Sequence, residues 1–242
     1  MIVAIHQLHY LPWLRYFHKM AGCDTFVVLD DIQFNKNGWQ NRNKIKGPAG
    51  AQLLTVPIRH KWGRRLDEVQ IENKTPWRRK HWQSLVTCYG KAPFFSVHAD
   101  TIKAAYEKDW QSLNELNAAL LRILVKQLGI RTRIVYSSSL GIKTEATHRL
   151  VDICKAMGAN AYLTGEYAAQ MYLEPELFKA AGVELLYQKY EALVYHQQFD
   201  RSGLIPDLSI VDLLFNHGAE SLDILLGKLK IHDDSSFQTN TR

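Results

Sequence analysis

Apolar and polar positions follow two rhythms along this chain, and they replace one another at regular intervals. Ile2, Val3, Ala4 and Ile5 form an unbroken apolar run, too short for a helix and continuous in the manner of a strand buried on both faces. It stops at His6 and Gln7. Pro12 opens a helical stretch in which Trp13, Phe17 and Met20 return on one side, and Gly22 closes it. Thr25 to Leu29 is rich in β-formers and leads into Asp30 and Asp31. Next, Arg42 to Ile45 and Leu53 to Ile58 flank the turn Gly47, Pro48, Ala49, Gly50 and predict a hairpin.

Val69 to Glu72 reads as a short strand. Helices follow from Pro76 to about Tyr89, from near Ser96, and from about Asp109 to Leu128, where Leu113, Leu116, Leu120, Leu124 and Leu128 mark the clearest amphipathic stripe. Arg133 to Ser137 returns to strand. Thr144 is the expected cap of a helix through about Met157, with Glu145 in its first turn. Ala161 to Leu163 and Val183 to Tyr187 are further strands. Ser209 is the expected N-cap of a last apolar helix, and Asp212, three positions on, the expected partner in a capping box.

Strand and helix thus take turns on both sides of a central helical block. The expected fold is α/β: a doubly wound, mainly parallel sheet with a basic hairpin at residues 32–66 and a helical insertion at about 76–128, all in one domain over residues 1–230. Residues 231–242 lack periodicity and read as a disordered tail. Parallel strands put their carboxyl ends along one edge, where ligands of such sheets bind. His6 and Gln7, Asp30 and Asp31, Ser137 to Ser139, Thr164 to Glu166, and Gln188 are expected to meet there.

Composition adds a compartment and a charge. No leader-like basic and apolar segment precedes Ile2, and no apolar run approaches the ~18 residues of a membrane span; the expectation is a soluble, cytoplasmic protein with no membrane insertion. The cysteines at 23, 88 and 154 are odd in number and widely spaced, unlike a disulfide framework or zinc site. The formal charge of +6 is concentrated: between Ile32 and Leu66 no acidic residue interrupts Lys36, Arg42, Lys44, Lys46, Arg59, Lys61, Arg64 and Arg65. Within it, Trp39, Gln40, Asn41, Arg42 and Lys44 combine an aromatic face, amides and cations suited to a ring and a phosphate. The plainer alternative is a solvated hairpin with Trp39 as a core plug. Arg78, Arg79 and Lys80 likewise read either as a second anion surface or as a solvated helix face.

The strings IHQLHYLPWLRYFHKM, FVVLDDIQF, WQNRNKIK, TGE at Thr164 to Glu166, and PDLSIVDLLFNHG resemble the WbqC-like protein family of bacteria over roughly residues 2 to 218. That family's genes lie largely among those for surface polysaccharide and amino-sugar modification, so the resemblance implies a biosynthetic enzyme. Two positions depart from the family pattern: Leu8 stands in place of its proline and Arg15 in place of its glycine. The first unit is also similar in layout to nucleotidylyltransferases. Their two phosphate-handling histidines would fall in the segment Tyr10, Leu11, Pro12, Trp13, which has none, so this likeness supports a related first unit more than a shared chemistry.

His6 is the natural general base or hydrogen-bond donor, since imidazole titrates near neutrality. Asp30, Asp31 and Glu166 are the candidate catalytic carboxylates; either aspartate could orient His6, deprotonate an amine or hold a magnesium ion with a nucleotide phosphate, the one cofactor this pattern suggests. Candidate substrate contacts are Gln7, Tyr10, Trp13, Trp39, Gln40, Asn41, Arg42, Lys44, Thr164, Gly165 and Asp207. Three functions compete. The first is acyl or aminoacyl transfer to a nucleotide-linked amino sugar, which makes the partner a small molecule; the second is nucleotidyl transfer. The third, a non-catalytic nucleic-acid-binding module, is disfavoured because the polar residues gather at strand ends and no nucleic-acid motif accompanies the basic segment.

Overall fold

The computed structural model describes residues 1–59, 63–165 and 173–229. Its centre is β1 (Ile2–Gln7), paired in parallel with β2 (Thr25–Leu29) on one side and β6 (Ala161–Gly165) on the other. With β5 (Arg133–Tyr136) and β7 (Glu184–Gln188) at the edges the sheet runs β5-β2-β1-β6-β7, parallel throughout. This is the doubly wound order, and its direction reverses between β1 and β6. The antiparallel hairpin of β3 (Arg42–Gly47) and β4 (Gly50–Thr55) stands apart as its own two-stranded sheet.

Alternation along the strands feeds two cores. Ala4, Phe26 and Val28 face a large layer built from α1 (Leu14–Ala21), α2 (Trp77–Tyr89), α3 (Phe95–Glu107), α4 (Leu113–Leu128), α7 (Ile210–His217) and α8 (Ser221–Leu225). Val3, Ile5 and Val27 face a smaller one closed by α5 (Ala146–Ala156) and α6 (Pro175–Ala180). Because β1 is covered on both faces, its apolar run is continuous where a half-exposed strand would alternate.

Several boundaries move from their expected places. β1 extends through His6 and Gln7, which pair with Val28 and Leu29. Pro12 does not open α1: Trp13 keeps an extended backbone and bridges to Ser209, and the helix begins at Leu14. α4 begins at Leu113, four residues late, because Ser112 Oγ caps it by accepting from Glu115 N–H. Val69 to Glu72 contributes only isolated bridges, to Ile58 and Ser112. Thr144 does not cap α5; its hydroxyl donates to Asp152 instead, 2.8 Å. β4 starts at Gly50, directly after the turn, and stops before Pro57, which has no N–H for a ladder. α6 has no counterpart in the sequence reading. The cysteines are three buried free thiols, as their spacing suggested.

Ser209 caps α7, but the capping box does not form, because Asp212 points elsewhere. Its buried carboxylate accepts from Tyr89 Oη and Tyr195 Oη, each at 2.8 Å, while Tyr89 Oη itself accepts from Lys46 N–H. Lys46 Nζ reaches the Gly203 carbonyl at 2.6 Å. The cluster ties the hairpin, α2 and α7 to the irregular stretch before Ser209. Gly218, just past α7, has φ +54° and no space: a Cβ there would overlap the Phe94 ring.

Burial lifts the Asp212 carboxyl to about 6, against the downward pull of its hydrogen bonds from Tyr195 and Tyr89 and of the Lys46 charge. The unfolded value is the lower one, so the native state holds this proton more firmly between about 4 and 6. Asp212 therefore favours folding most in acid, and its contribution declines as pH rises through the folded value, by on the order of 3 kcal/mol in full. Urea unfolding of wild type and Asp212→Asn from pH 4 to 7 should show the difference moving in the variant's favour as pH rises. A difference independent of pH would show that Asp212 ionises in the fold as it does in water.

Candidate functional site

β1 carries His6 and Gln7 to the carboxyl edge of the sheet, beside the reversal between β1 and β6. His6 shares the face of Ala4, so its ring turns toward α1. There it meets the edges of His9 and Tyr16, both with ring centroids 4.8 Å away, and Trp13 at 6.4 Å. His6 Nδ1 lies 3.2 Å from the Gln7 carbonyl. A carbonyl only accepts, so Nδ1 carries the hydrogen and Nε2 keeps its lone pair, with no protein partner among the described residues.

The surroundings hold that ring neutral. Burial, then the Lys19 charge and His9, bring His6 well below its ordinary value, and burial with Lys19 brings His9 to about 3. Lys19 is itself buried on the packed side of α1, donating to the Ile5 carbonyl at 3.5 Å, and desolvation lowers its ammonium to about 8. His9 Nδ1 and Tyr16 Oη are buried with no hydrogen-bond partner among the described residues. Unsatisfied buried groups cost roughly 1–3 kcal/mol each, and these two, beside His6, are open to a water or to a polar group of a ligand.

Trp13 joins this cluster to an aromatic wall. Trp13 packs edge-on against Trp39, centroids 5.3 Å apart, and Lys44 Nζ lies 5.5 Å from the Trp39 ring. The wall is held by backbone bonds across three segments: Tyr10 N–H to the Trp39 carbonyl, Ser209 N–H to Lys44 and Ile210 N–H to Pro12. Asn43 Nδ2 donates to Leu11 O at 2.6 Å and to Tyr10 O. Leu11 needs that support, since its φ of +42° is strained for a residue with a side chain. At the rim, Arg15 pairs with Asp207 at 3.1 Å and lies over Tyr190. Asp207, also at positive φ, is thereby placed beside α1.

The remaining expected contacts divide. Gln7 Oε1 accepts from Gln40 Nε2, and Gln40 is wholly buried, its carbonyl held by Asn117. Asn41 bonds the Val56 carbonyl and Arg42 bonds Asn37, so both brace the hairpin. Tyr10 is in the core, its hydroxyl between His81 and Tyr106. Thr164 is buried in β6, and Gly165, at the end of β6, has open space where a Cβ would stand. Glu166 lies outside the described residues.

Asp30 and Asp31 form a second group, at the ends of β2 and β5. Asp30 accepts from Ser138 N–H and Oγ, at 3.0 and 2.7 Å, and from Ser137 Oγ. Asp31, nine-tenths buried, accepts from Arg149 Nη2 at 2.6 Å and Ser137 Oγ at 2.5 Å, with Arg65 at 3.9 Å. Burial alone would raise Asp31; the bonds from Arg149 and Ser137 and the two guanidinium charges outweigh it and hold its carboxyl below the ordinary value. No hydrogen bond joins this group to His6 among the described residues. The pair fits magnesium poorly, because its oxygens already accept hydrogen bonds and two arginines flank Asp31. Among the described residues no three His, Cys, Asp or Glu side chains stand together as ligands for a metal.

His9, Tyr16 and Lys19 were not singled out by sequence, and Arg15 stood out only as a departure from the family pattern. A His-x-x-His spacing at a strand end, and a lysine flanked by Tyr16, Phe17 and Met20 on the packed side of a helix, are the signals that could have exposed them.

The parallel sheet, its strand order and the helices on both faces define a doubly wound α/β protein, with a histidine and an aromatic-cationic wall at the carboxyl end of β1, beside the reversal of strand order. The WbqC-like protein family model matches residues 7–224, and the chain belongs to that family. It is also similar to the uncharacterized protein Rv1507c of Mycobacterium tuberculosis, 35% identical over 226 residues that cover 92% of this chain and 96% of the relative. No solved structure matches. Among the described residues no helix is long and apolar enough to cross a membrane.

The two polar groups should respond differently to truncation. Asp31→Ala strands the mostly buried Arg149 without its counter-charge and is expected to cost about 3 kcal/mol or more in urea unfolding. The exposed Asp30 bonds to Ser138 are worth about 1 kcal/mol. Equal and small losses would show that the Asp31–Arg149 pair contributes nothing to the fold.

Proposed function

We propose that this protein is a cytoplasmic group-transfer enzyme that places an acyl or aminoacyl group on the amine of a nucleotide-linked amino sugar, in the building of surface polysaccharide. The observation that carries the reading is the neutral His6, its Nε2 lone pair free, facing an aromatic wall crowned by Lys44 at the switch point of a doubly wound sheet. Trp13 and Trp39 suit a ring, and Lys44 and Arg15 suit the pyrophosphate. His6 Nε2 takes the proton from the sugar amine as its nitrogen attacks the donor's carbonyl. The C–N bond forms, the bond to the donor's leaving group breaks, and the imidazolium returns its proton to that group. The family resemblance supplies the amino-sugar setting.

Nucleotidyl transfer is the second reading. It is favoured by the His6–His9 pair, two imidazoles 4.8 Å apart at the end of the first strand, which supplies a histidine pair although Tyr10 to Trp13 has none.

A thermal-shift screen separates the readings: a ligand at about 100 times its dissociation constant adds roughly 2.7 kcal/mol. Uridine- or thymidine-linked amino sugars should raise Tm by several degrees. A shift with ATP and magnesium alone would favour nucleotidyl transfer, and one with single-stranded DNA alone would overturn both. With substrate in hand, His6→Ala should lower kcat by about 10²- to 10⁴-fold, while Trp39→Ala and Lys44→Ala raise KM at nearly constant kcat. Because burial keeps His6 deprotonated, the acid limb of kcat/KM should lie well below 6.5; a limb at or above that value would remove His6 as the base.

A further inference from the structure

We propose that the helical block carries a second ligand site, remote from the sheet edge, for a phosphorylated molecule with a ring. Between the start of α2 and the end of α3 lies a pocket of about 530 Å³, within the size range of small-molecule sites. Lys74, Arg78, Arg79 and Lys103 line it, with Trp82 and Tyr106 as its aromatic side. Two of the cations are partly neutralised: Arg78 by Asp109 at 2.6 Å and Lys103 by Glu107 at 3.4 Å. Lys74 and Arg79 make no ion pair among the described residues and remain available to an anion. Four cations against two carboxylates leave the pocket positive before anything binds, a state that a phosphate or diphosphate relieves.

The aromatic side is preorganised. Trp82 stacks on Phe95, centroids 6.0 Å apart and planes 26° from parallel, and is half-buried, so its exposed surface is held in one orientation. Tyr106 is 4% exposed and its hydroxyl is fixed by Tyr10. A flat ring packed on Trp82, with its phosphates toward Lys74 and Arg79, uses both halves of the pocket. Inorganic phosphate uses one. Through the Tyr106–Tyr10 bond the pocket adjoins the turn that carries His9 and Trp13.

Isothermal titration of the full chain with inorganic pyrophosphate and with ADP, both without magnesium, tests this. Both probes can also bind at the sheet edge, so titrations are repeated in Lys44→Ala, which weakens that site and leaves the pocket between α2 and α3 untouched. In this background ADP should still bind, at least tenfold more tightly than pyrophosphate. Adding Lys74→Glu and Arg79→Glu should weaken both probes tenfold or more, and adding Trp82→Ala should erase the preference for ADP. Circular dichroism confirms that each variant is folded. Loss of all ADP binding in Lys44→Ala, or unchanged affinity in the Lys74 and Arg79 variant, would overturn the second site; failure of the amino-sugar screen leaves it standing.

Discussion

The parallel pairing of β1 between β2 and β6 is the constraint on which the rest of the structure depends. It buries Val3, Ala4 and Ile5 on both faces and sets the register that brings His6 opposite Val28. It also locates the reversal of strand order beside the residues that end β1. A slip of one residue would turn His6 to the opposite face, toward α5 and α6, away from Tyr16, Trp13 and the aromatic wall. The place of the candidate site is therefore a consequence of how one apolar run pairs.

Around that strand, segments distant in sequence are joined mostly by backbone hydrogen bonds. Pro12, Lys44 and Ser209 come together through main-chain donors, and Asn43 holds the strained turn at Leu11. The aromatic wall is consequently braced by main-chain bonds, while the charged groups Arg15, Lys44 and Asp207 lie at its rim. Arg15 departs from the family's glycine, and here it is accommodated by Asp207 and Tyr190. The Asp212 cluster plays the corresponding part on the far side, fastening the stretch before Ser209 to the hairpin and α2. Its buried carboxylate lowers stability at neutral pH in exchange for a defined join.

The sheet was legible because its strands are short, continuous and apolar, and because turn residues separate them. Their order was not, since pairing is a long-range choice that local pattern leaves open. The same limit governs the site. His6, Trp13, Trp39 and Lys44 stand out by residue type and do converge, whereas Tyr10 looks equally chemical and is spent on a core hydrogen bond. Asp31 reads as a catalytic acid in sequence; Arg149, 118 positions away, gives it a role in the fold. Capping illustrates the point at small scale: Ser112 and Ser209 cap as their type suggests, while Thr144 and Asp212 find better partners across the tertiary structure.

The protonation state of His6 tests this account most directly. Nitrogen NMR of protein labelled at its histidines, titrated from pH 7.5 to 5 and assigned with His6→Gln, reads both the tautomer and the charge of the ring. The structure requires the Nδ1–H form, with no titration near 6.5. A ring that titrates at its ordinary value, or one that holds its hydrogen on Nε2, would contradict the assignment of His6 as a base with a free lone pair toward the crevice.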